Sequence, residues 1–317
     1  MQWIRETDYA LDMKEKAEPY VAKRRTPGTM ERIKGQPVYY EYFRADREKG
    51  VIVLSHGFTE SVKKFTESIY YMLQAGYSVW GVDHRGHGRS FRSNDNPYVV
   101  HVEHFEDYVQ DLRYLTETLV KPASGSMPLY LYCHSMGGCI GAWVIEQYPA
   151  LFTKAVLSSP MLGLSFSLPT PVMFTAASLM GLGKRKRQPL SPVKSFPDKP
   201  DFEHSCDSSE CRYLYYFNKQ LQDKALQTRS PSIGWGLEAV KACARVTSEK
   251  QTGHIRIPVL LFQAGDDTVV KNASQVLFAS RVPTCEMSVV PCRKHELYMT
   301  DSDVLIPYWE RIFSFLG

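Results

Sequence analysis

Short apolar runs alternate with stretches that carry apolar residues at helical spacing, from about residue 38 to the C-terminus. Val38–Phe43 and residues 50–54 predict two strands across the polar turn 45–49. A helix over 65–75 and a strand at Tyr77–Val82 come next. Tyr108, Leu112, Leu115 and Leu119 share one face of a helix predicted over about 104–120. Leu129-Tyr130-Leu131-Tyr132 predicts a strand ending at Cys133, followed by a helix through Gln147 and a strand at 155–159. The rhythm resumes with a strand at 259–263, a helix over 273–280, a strand at 286–290 and a last helix over about 304–316. Strands alternating with helices predict a mostly parallel sheet with helices on both faces, an α/β fold. Functional residues are then expected at the carboxyl ends of the strands.

Between about 161 and 250 the alternation breaks. Six prolines fall between Pro169 and Pro200, followed by a helical, aromatic-rich half. So long a stretch exceeds a connection between two strands. It predicts a cap over 161–250 inserted into a core made of 1–160 and 251–317.

Composition narrows the class. At 317 residues the chain forms one large α/β domain or two small ones, and its net charge of +4 is too small to argue for nucleic acid. The first 35 residues are rich in charge and lack the apolar core of a signal peptide. No run approaches the roughly 18 apolar residues of a membrane span. Seven cysteines without framework spacing suit a reducing compartment, so a cytoplasmic protein is expected. His204, Cys206 and Cys211 offer three metal ligands with no fourth at zinc-site spacing, so a polar loop is expected there and no metal.

The chemistry centres on Cys133-His134-Ser135-Met136-Gly137-Gly138, directly after a predicted strand. A serine flanked by small residues two positions away on each side fits a sharp strand-to-helix turn that lifts the hydroxyl above the sheet. Cys133 stands where the first glycine of G-x-S-x-G is usual. The Met136 N–H would open the following helix and face an oxyanion. His56-Gly57-Phe58 also follows a strand and offers the Phe58 N–H as a second oxyanion donor. Asp83-His84-Arg85-Gly86-His87-Gly88 is expected to be a tight loop whose polar groups bond one another. Downstream of the 259–263 strand the only histidine is His295, and Asp266-Asp267 follow that strand directly. Adjacent aspartates cannot both face one imidazole; Asp267, followed three residues later by Val270, is taken as the acid. Ser135 would attack an ester, His295 would take and return its proton, and Asp267 would hold the imidazole. This chemistry calls for no cofactor.

Together these motifs, with His295-Glu296, resemble the α/β-hydrolases of the branch that contains monoacylglycerol lipases and bacterial lysophospholipases. The resemblance runs from about residue 28 to the end. Gln263-Ala264 with the two acids and Val269-Val270, Arg212-Tyr213, and Pro231-Ser232-Ile233-Gly234-Trp235 are similar to segments of the lysophospholipase L2 family. The departures are Cys133 for a smaller residue and Ser232 for threonine. The resemblance implies a serine esterase acting on lysophospholipids, with acyl transfer to other lipids alongside, and with His56, Tyr213 and Trp235 against the substrate. A monoacylglycerol lipase or broad carboxylesterase is the alternative, then a proline aminopeptidase, or a binding protein on the same fold. Epoxide hydrolases and dehalogenases would need aspartate at Ser135. Val172, Met173, Phe174, Ala177, Leu179 and Met180 form an apolar segment closed by Lys184, Arg185, Lys186 and Arg187, a pattern suited to an anionic membrane interface or to a packed helix with a solvated turn.

Overall fold

The computed structural model describes residues 1–165 and 183–317. The strands are β1 (Arg25–Met30), β2 (Val38–Phe43), β3 (Gly50–Ser55), β4 (Tyr77–Val82), β5 (Val99–Val100), β6 (Leu129–His134), β7 (Lys154–Ser158), β8 (Ser230–Pro231), β9 (Val259–Ala264) and β10 (Cys285–Val290). Eight form one sheet in the order β1-β2-β4-β3-β6-β7-β9-β10, while β5 and β8 pair separately. From β4 to β10 every pairing is parallel; β2 runs antiparallel to β1 and to β4.

Every residue of β3, β4, β6 and β9 is buried, which is why these strands read as unbroken apolar runs rather than alternating ones. β10 lies at the sheet edge, where Val289 is exposed. One face is covered by the helices Glu106–Leu115, Met136–Gln147 and Ile233–Val246, which bury Leu112, Ile140 and Ala239 against Leu131 and Val53. Thr66–Gln74 and Ser302–Leu316 cover the other face, with Tyr71 and Trp309 packed beside Tyr132.

Two elements escaped the sequence reading. Helical turns occupy residues 6–22, and β1 adds an antiparallel edge. Tyr9, Met13, Ala17 and Val21 are buried at intervals of four, a helical stripe diluted by the charges between them. The helix expected over 104–120 starts at Glu106 and continues through a wider π-type turn, Thr116–Val120, into Lys121–Ser124.

Register places the chemistry. Ser55 pairs with Cys133, His134 with Ser158, and Ser158 with Phe262. The loops that leave β3, β6, β9 and β10 therefore meet at one edge of the sheet. Between β7 and β9 the chain forms the helices Glu210–Gln222 and Ile233–Val246. Arg212, wholly buried, ties the first of these to the core through Glu67 at 2.9 Å and through Glu6. The apolar segment 172–180 lies outside the described residues. Of the basic run, Lys186 and Arg187 both pair with Glu103, Arg187 at 2.7 Å.

Candidate active site

Between β6 and the helix Met136–Gln147 the chain turns at Ser135, whose φ of 51° and ψ of −116° are costly for a residue with a side chain. The surroundings impose that conformation. The Ser135 N–H donates to the Ser158 carbonyl at 3.1 Å, and its carbonyl accepts from Gly138 and Met161, each at 2.8 Å. A Cβ on Gly137 would lie 2.2 Å from the Ser55 carbonyl oxygen, so the residue two beyond the serine has to be glycine. Cys133 fits two residues before it because Gly141 leaves room: a Cβ there would meet the Cys133 sulfur at 2.4 Å. Burial pushes the Cys133 thiol pKa up, away from thiolate chemistry.

Ser135 Oγ lies 2.8 Å from His295 Nε2, and His295 Nδ1 lies 2.6 Å from Asp267 Oδ2. Asp267 Oδ1 accepts from the N–H groups of Val269 and Val270 at 2.9 and 3.0 Å. That local turn fixes the carboxylate and turns it away from solvent, whereas Asp266 is exposed. Both Asp267 oxygens accept, so Nδ1 carries the imidazole hydrogen and Nε2 presents a lone pair to the serine hydroxyl.

Phe58 and Met136 flank this serine, and their backbone N–H groups have no acceptor among the described residues. Gly57 allows the approach: a Cβ there would meet Ser135 Cβ at 3.1 Å and Glu60 Oε2 at 2.9 Å. The serine opens onto a cavity of about 220 Å³ whose described wall is otherwise apolar, with Phe58, Met161, Leu164, Trp235 and Val270 among its residues. Trp235 donates its Nε1–H to Tyr108 at 3.2 Å, which sets its ring.

The other two expected substrate contacts are not brought to the cavity. His56 has no exposure; its Nδ1 bonds the Gly57 carbonyl at 2.7 Å and its Nε2 accepts from the His84 N–H at 2.9 Å. Burial lowers its pKa to about 4, so it is a neutral brace between two loops. Tyr213 lies against Phe202 and Phe217, and its hydroxyl accepts from the Asp201 N–H at 2.7 Å. The 83–88 loop is bonded to itself and its neighbours: Asp83 accepts from the N–H groups of Val62 and Arg89, and His84 bonds Ser55 Oγ at 2.7 Å.

Three charged residues beside Ser135 and His295 were not singled out for a role: Glu60 and Glu296, both buried, and Lys64, whose side chain is 8% exposed. The available signal was Glu60 and Lys64, four apart on either side of Val62 and just before buried Phe65. With His134, the two glutamates come close enough to hold a metal ion, but the Lys64 ammonium is the cation among them, 3.5 Å from Glu60 and paired with Glu296. His204 pairs instead with Asp201 at 2.9 Å, and among the described residues no metal-sized group includes it, Cys206 or Cys211.

Comparison with known proteins places the chain in a family and a fold. The family model described as serine aminopeptidase, S33 (Hydrolase_4) matches residues 46–303. Lysophospholipase L2 of Escherichia coli K12 is 28% identical over 248 residues, covering 74% of this chain and 69% of that protein. Monoacylglycerol lipase of Mycolicibacterium smegmatis is 25% identical over 294 residues, covering 90% and 95%. Among solved structures, a carboxyl esterase of Bacillus coagulans superposes with a TM-score of 0.75 at 18% identity, covering 92% of this chain and 97% of that one. A monoglyceride lipase variant of Saccharomyces cerevisiae superposes at 0.72, also at 18% identity, covering 92% and 94%. These two likenesses establish the α/β-hydrolase fold.

Proposed function

The chain belongs to the serine hydrolase family described as serine aminopeptidase S33, and from that membership we propose that it hydrolyses the acyl ester of lysophospholipids. The observation that carries the reading is the Ser135–His295–Asp267 hydrogen-bond chain opening onto an apolar cavity. Ser135 Oγ attacks the ester carbonyl carbon as its proton passes to His295 Nε2. The carbonyl oxygen, now an oxyanion, takes hydrogen bonds from the Phe58 and Met136 N–H groups. His295 returns the proton to the glycerol oxygen, the ester C–O bond breaks, and the acyl group stays on Ser135. Water then repeats the attack and frees the acid; a lipid hydroxyl in place of water gives acyl transfer.

Lysophospholipid is favoured over monoacylglycerol by a second, polar cavity of about 280 Å³ that shares Pro231 with the apolar one. Lys194, Arg229, Ser191, Ser195 and Ser230 are among the residues that line it. Neither cation has a carboxylate partner among the described residues, a setting suited to a phosphodiester. A monoacylglycerol lipase is the second reading, supported by the apolar cavity alone and by the mycobacterial relative.

Residues 161–250 are proposed as the cap that carries this selectivity, on a core of 1–160 and 251–317. Peripheral contact with anionic membrane through Lys184, Arg185, Lys186 and Arg187 is proposed with a reduced surplus of charge, because Glu103 neutralises part of it. No described helix is long and apolar enough to cross a membrane. All seven cysteines are free, which supports a reducing, cytoplasmic setting.

A hydrolysis panel of lysophosphatidylethanolamine, monoacylglycerol, a short p-nitrophenyl ester and a prolyl amide tests the reading. Ser135→Ala should remove all ester hydrolysis from a folded protein, and a fluorophosphonate should label Ser135 alone. Labelling at Cys133, or faster turnover of the prolyl amide than of any ester, would overturn it.

A further inference from the structure

We infer that Glu60 is a positioning residue that clamps the three loops of the active site together, an inference that rests on the proposed roles of Ser135 and His295. Its carboxylate is 3% exposed and touches each loop. Oε2 accepts from the Gly57 N–H at 2.6 Å, one residue before the oxyanion donor Phe58. Oε1 accepts from the Tyr298 hydroxyl at 2.5 Å, three residues beyond His295. The same oxygen lies 3.7 Å from Nε2 of His134, which precedes Ser135 and whose ring centroid is 4.9 Å from that of His295. Lys64 closes the figure, 3.5 Å from Glu60 and paired with Glu296, the neighbour of His295.

A carboxylate buried this deeply is expensive unless donors surround it. The groups that face it are Lys64, Glu296, Asp207, Tyr132, Tyr216, Tyr298 and His134. Lys64 is the one cation among them, since burial keeps His134 neutral. Burial, opposed by Lys64 and reinforced by Glu296, pushes the Glu60 carboxyl up to about 7. Both oxygens already accept. The Gly57 N–H can only donate, so a proton or an amide nitrogen on Oε2 breaks that bond; one on Oε1 reverses the bond to the Tyr298 hydroxyl and sets a donor against the Lys64 ammonium, and either way the clamp loosens. Misplacement of an oxyanion donor by about an ångström costs on the order of 10²-fold in rate.

The test uses the full chain with a short soluble ester. Glu60→Gln should fold and keep KM within about twofold while kcat falls about 10²-fold, and fluorophosphonate labelling of Ser135 should slow by a similar factor. On the acid side, log kcat against pH should lose one unit of slope relative to the parent, because the glutamine cannot take up the proton. Tyr298→Phe removes one donor and leaves the carboxylate, so a smaller fall in kcat, about 5- to 10-fold, is expected at unchanged KM. It serves if the glutamine variant does not fold. Should the parent label at Ser135 while these variants turn over at the parental rate, the clamp is refuted and the triad stands. A parent that never labels at Ser135 removes the triad, and the clamp with it.

Discussion

The Phe58 ring lies 4.3 Å, centroid to centroid, from the Trp235 ring. The residue proposed as the second oxyanion donor is thus packed against a helix of the proposed cap, and both rings wall the same cavity. Trp235→Ala should enlarge the cavity and loosen Phe58 together. The expected outcome is a loss of about 3–5 kcal/mol in stability, a lower kcat on every ester, and a shift in optimum toward longer acyl chains. Trp235→Phe keeps a ring and gives up the bond to Tyr108, costing about 1 kcal/mol with the chain-length profile retained. A panel of p-nitrophenyl esters from two to sixteen carbons, about the reach of one acyl chain, reads both effects.

The adjacent aspartates separate cleanly in the structure. Asp267 is fixed by two backbone N–H groups and faces His295, whereas Asp266 is exposed. Asp267→Asn should lower kcat by about 10³–10⁴-fold. Asp266→Asn should stay near the parental rate. Steady-state kinetics on one soluble ester decide it, and a reversed pair of results would sink the assignment.

The polar cavity makes a substrate-specific prediction. Replacing Lys194 and Arg229 by alanine should raise KM for lysophosphatidylethanolamine about tenfold, as expected when a charge-assisted bond of about 1.5 kcal/mol is lost. Monoacylglycerol, which has no phosphate, should be hydrolysed as before. Equal effects on both substrates would remove the headgroup assignment and favour the monoacylglycerol reading.

His56 supplies a test by pH. Its pKa falls from the ordinary 6.5 to about 4 on folding, with burial as the largest cause. The unfolded chain therefore takes up a proton below 6.5 that the folded chain refuses. The stability His56 contributes is complete above pH 6.5 and is lost as pH drops toward 4. The cost of His56→Asn should accordingly shrink by about 2 kcal/mol between pH 7.5 and 5. Urea unfolding of parent and variant at both values measures it, and an equal cost at the two would show that His56 is not held neutral.

Much of the sheet was legible because β3, β4, β6 and β9 are buried on both faces and read as continuous apolar runs. Ser135 and Asp267 could be nominated because each follows such a run, and His295 because it is the only histidine downstream of β9 and follows the edge strand β10; strand ends of a parallel sheet converge. The N-terminal helix was hidden because Tyr9, Met13, Ala17 and Val21 are separated by charged residues, and two of the four are weakly apolar. A motif does not say where a side chain points: His56 and Tyr213 bond neighbouring loops, and neither is among the residues lining the apolar cavity. Glu60, Lys64 and Glu296 could not be joined by sequence, since Glu296 lies more than two hundred residues from its partner Lys64.

Cys133 and Gly141 form a volume exchange, in which the sulfur occupies what a methyl group would fill on the facing helix. The two positions should therefore be interchangeable as a pair and not singly. Gly141→Ala alone drives a methyl group into sulfur, and Cys133→Gly alone leaves a void under Ser135. Made together, they restore the usual glycine at 133 and replace a mid-helix glycine with alanine, which favours the helix by about 1 kcal/mol. The double variant would carry no thiol two residues from Ser135, so its turnover should be indifferent to thiol-directed reagents and oxidants acting at that position.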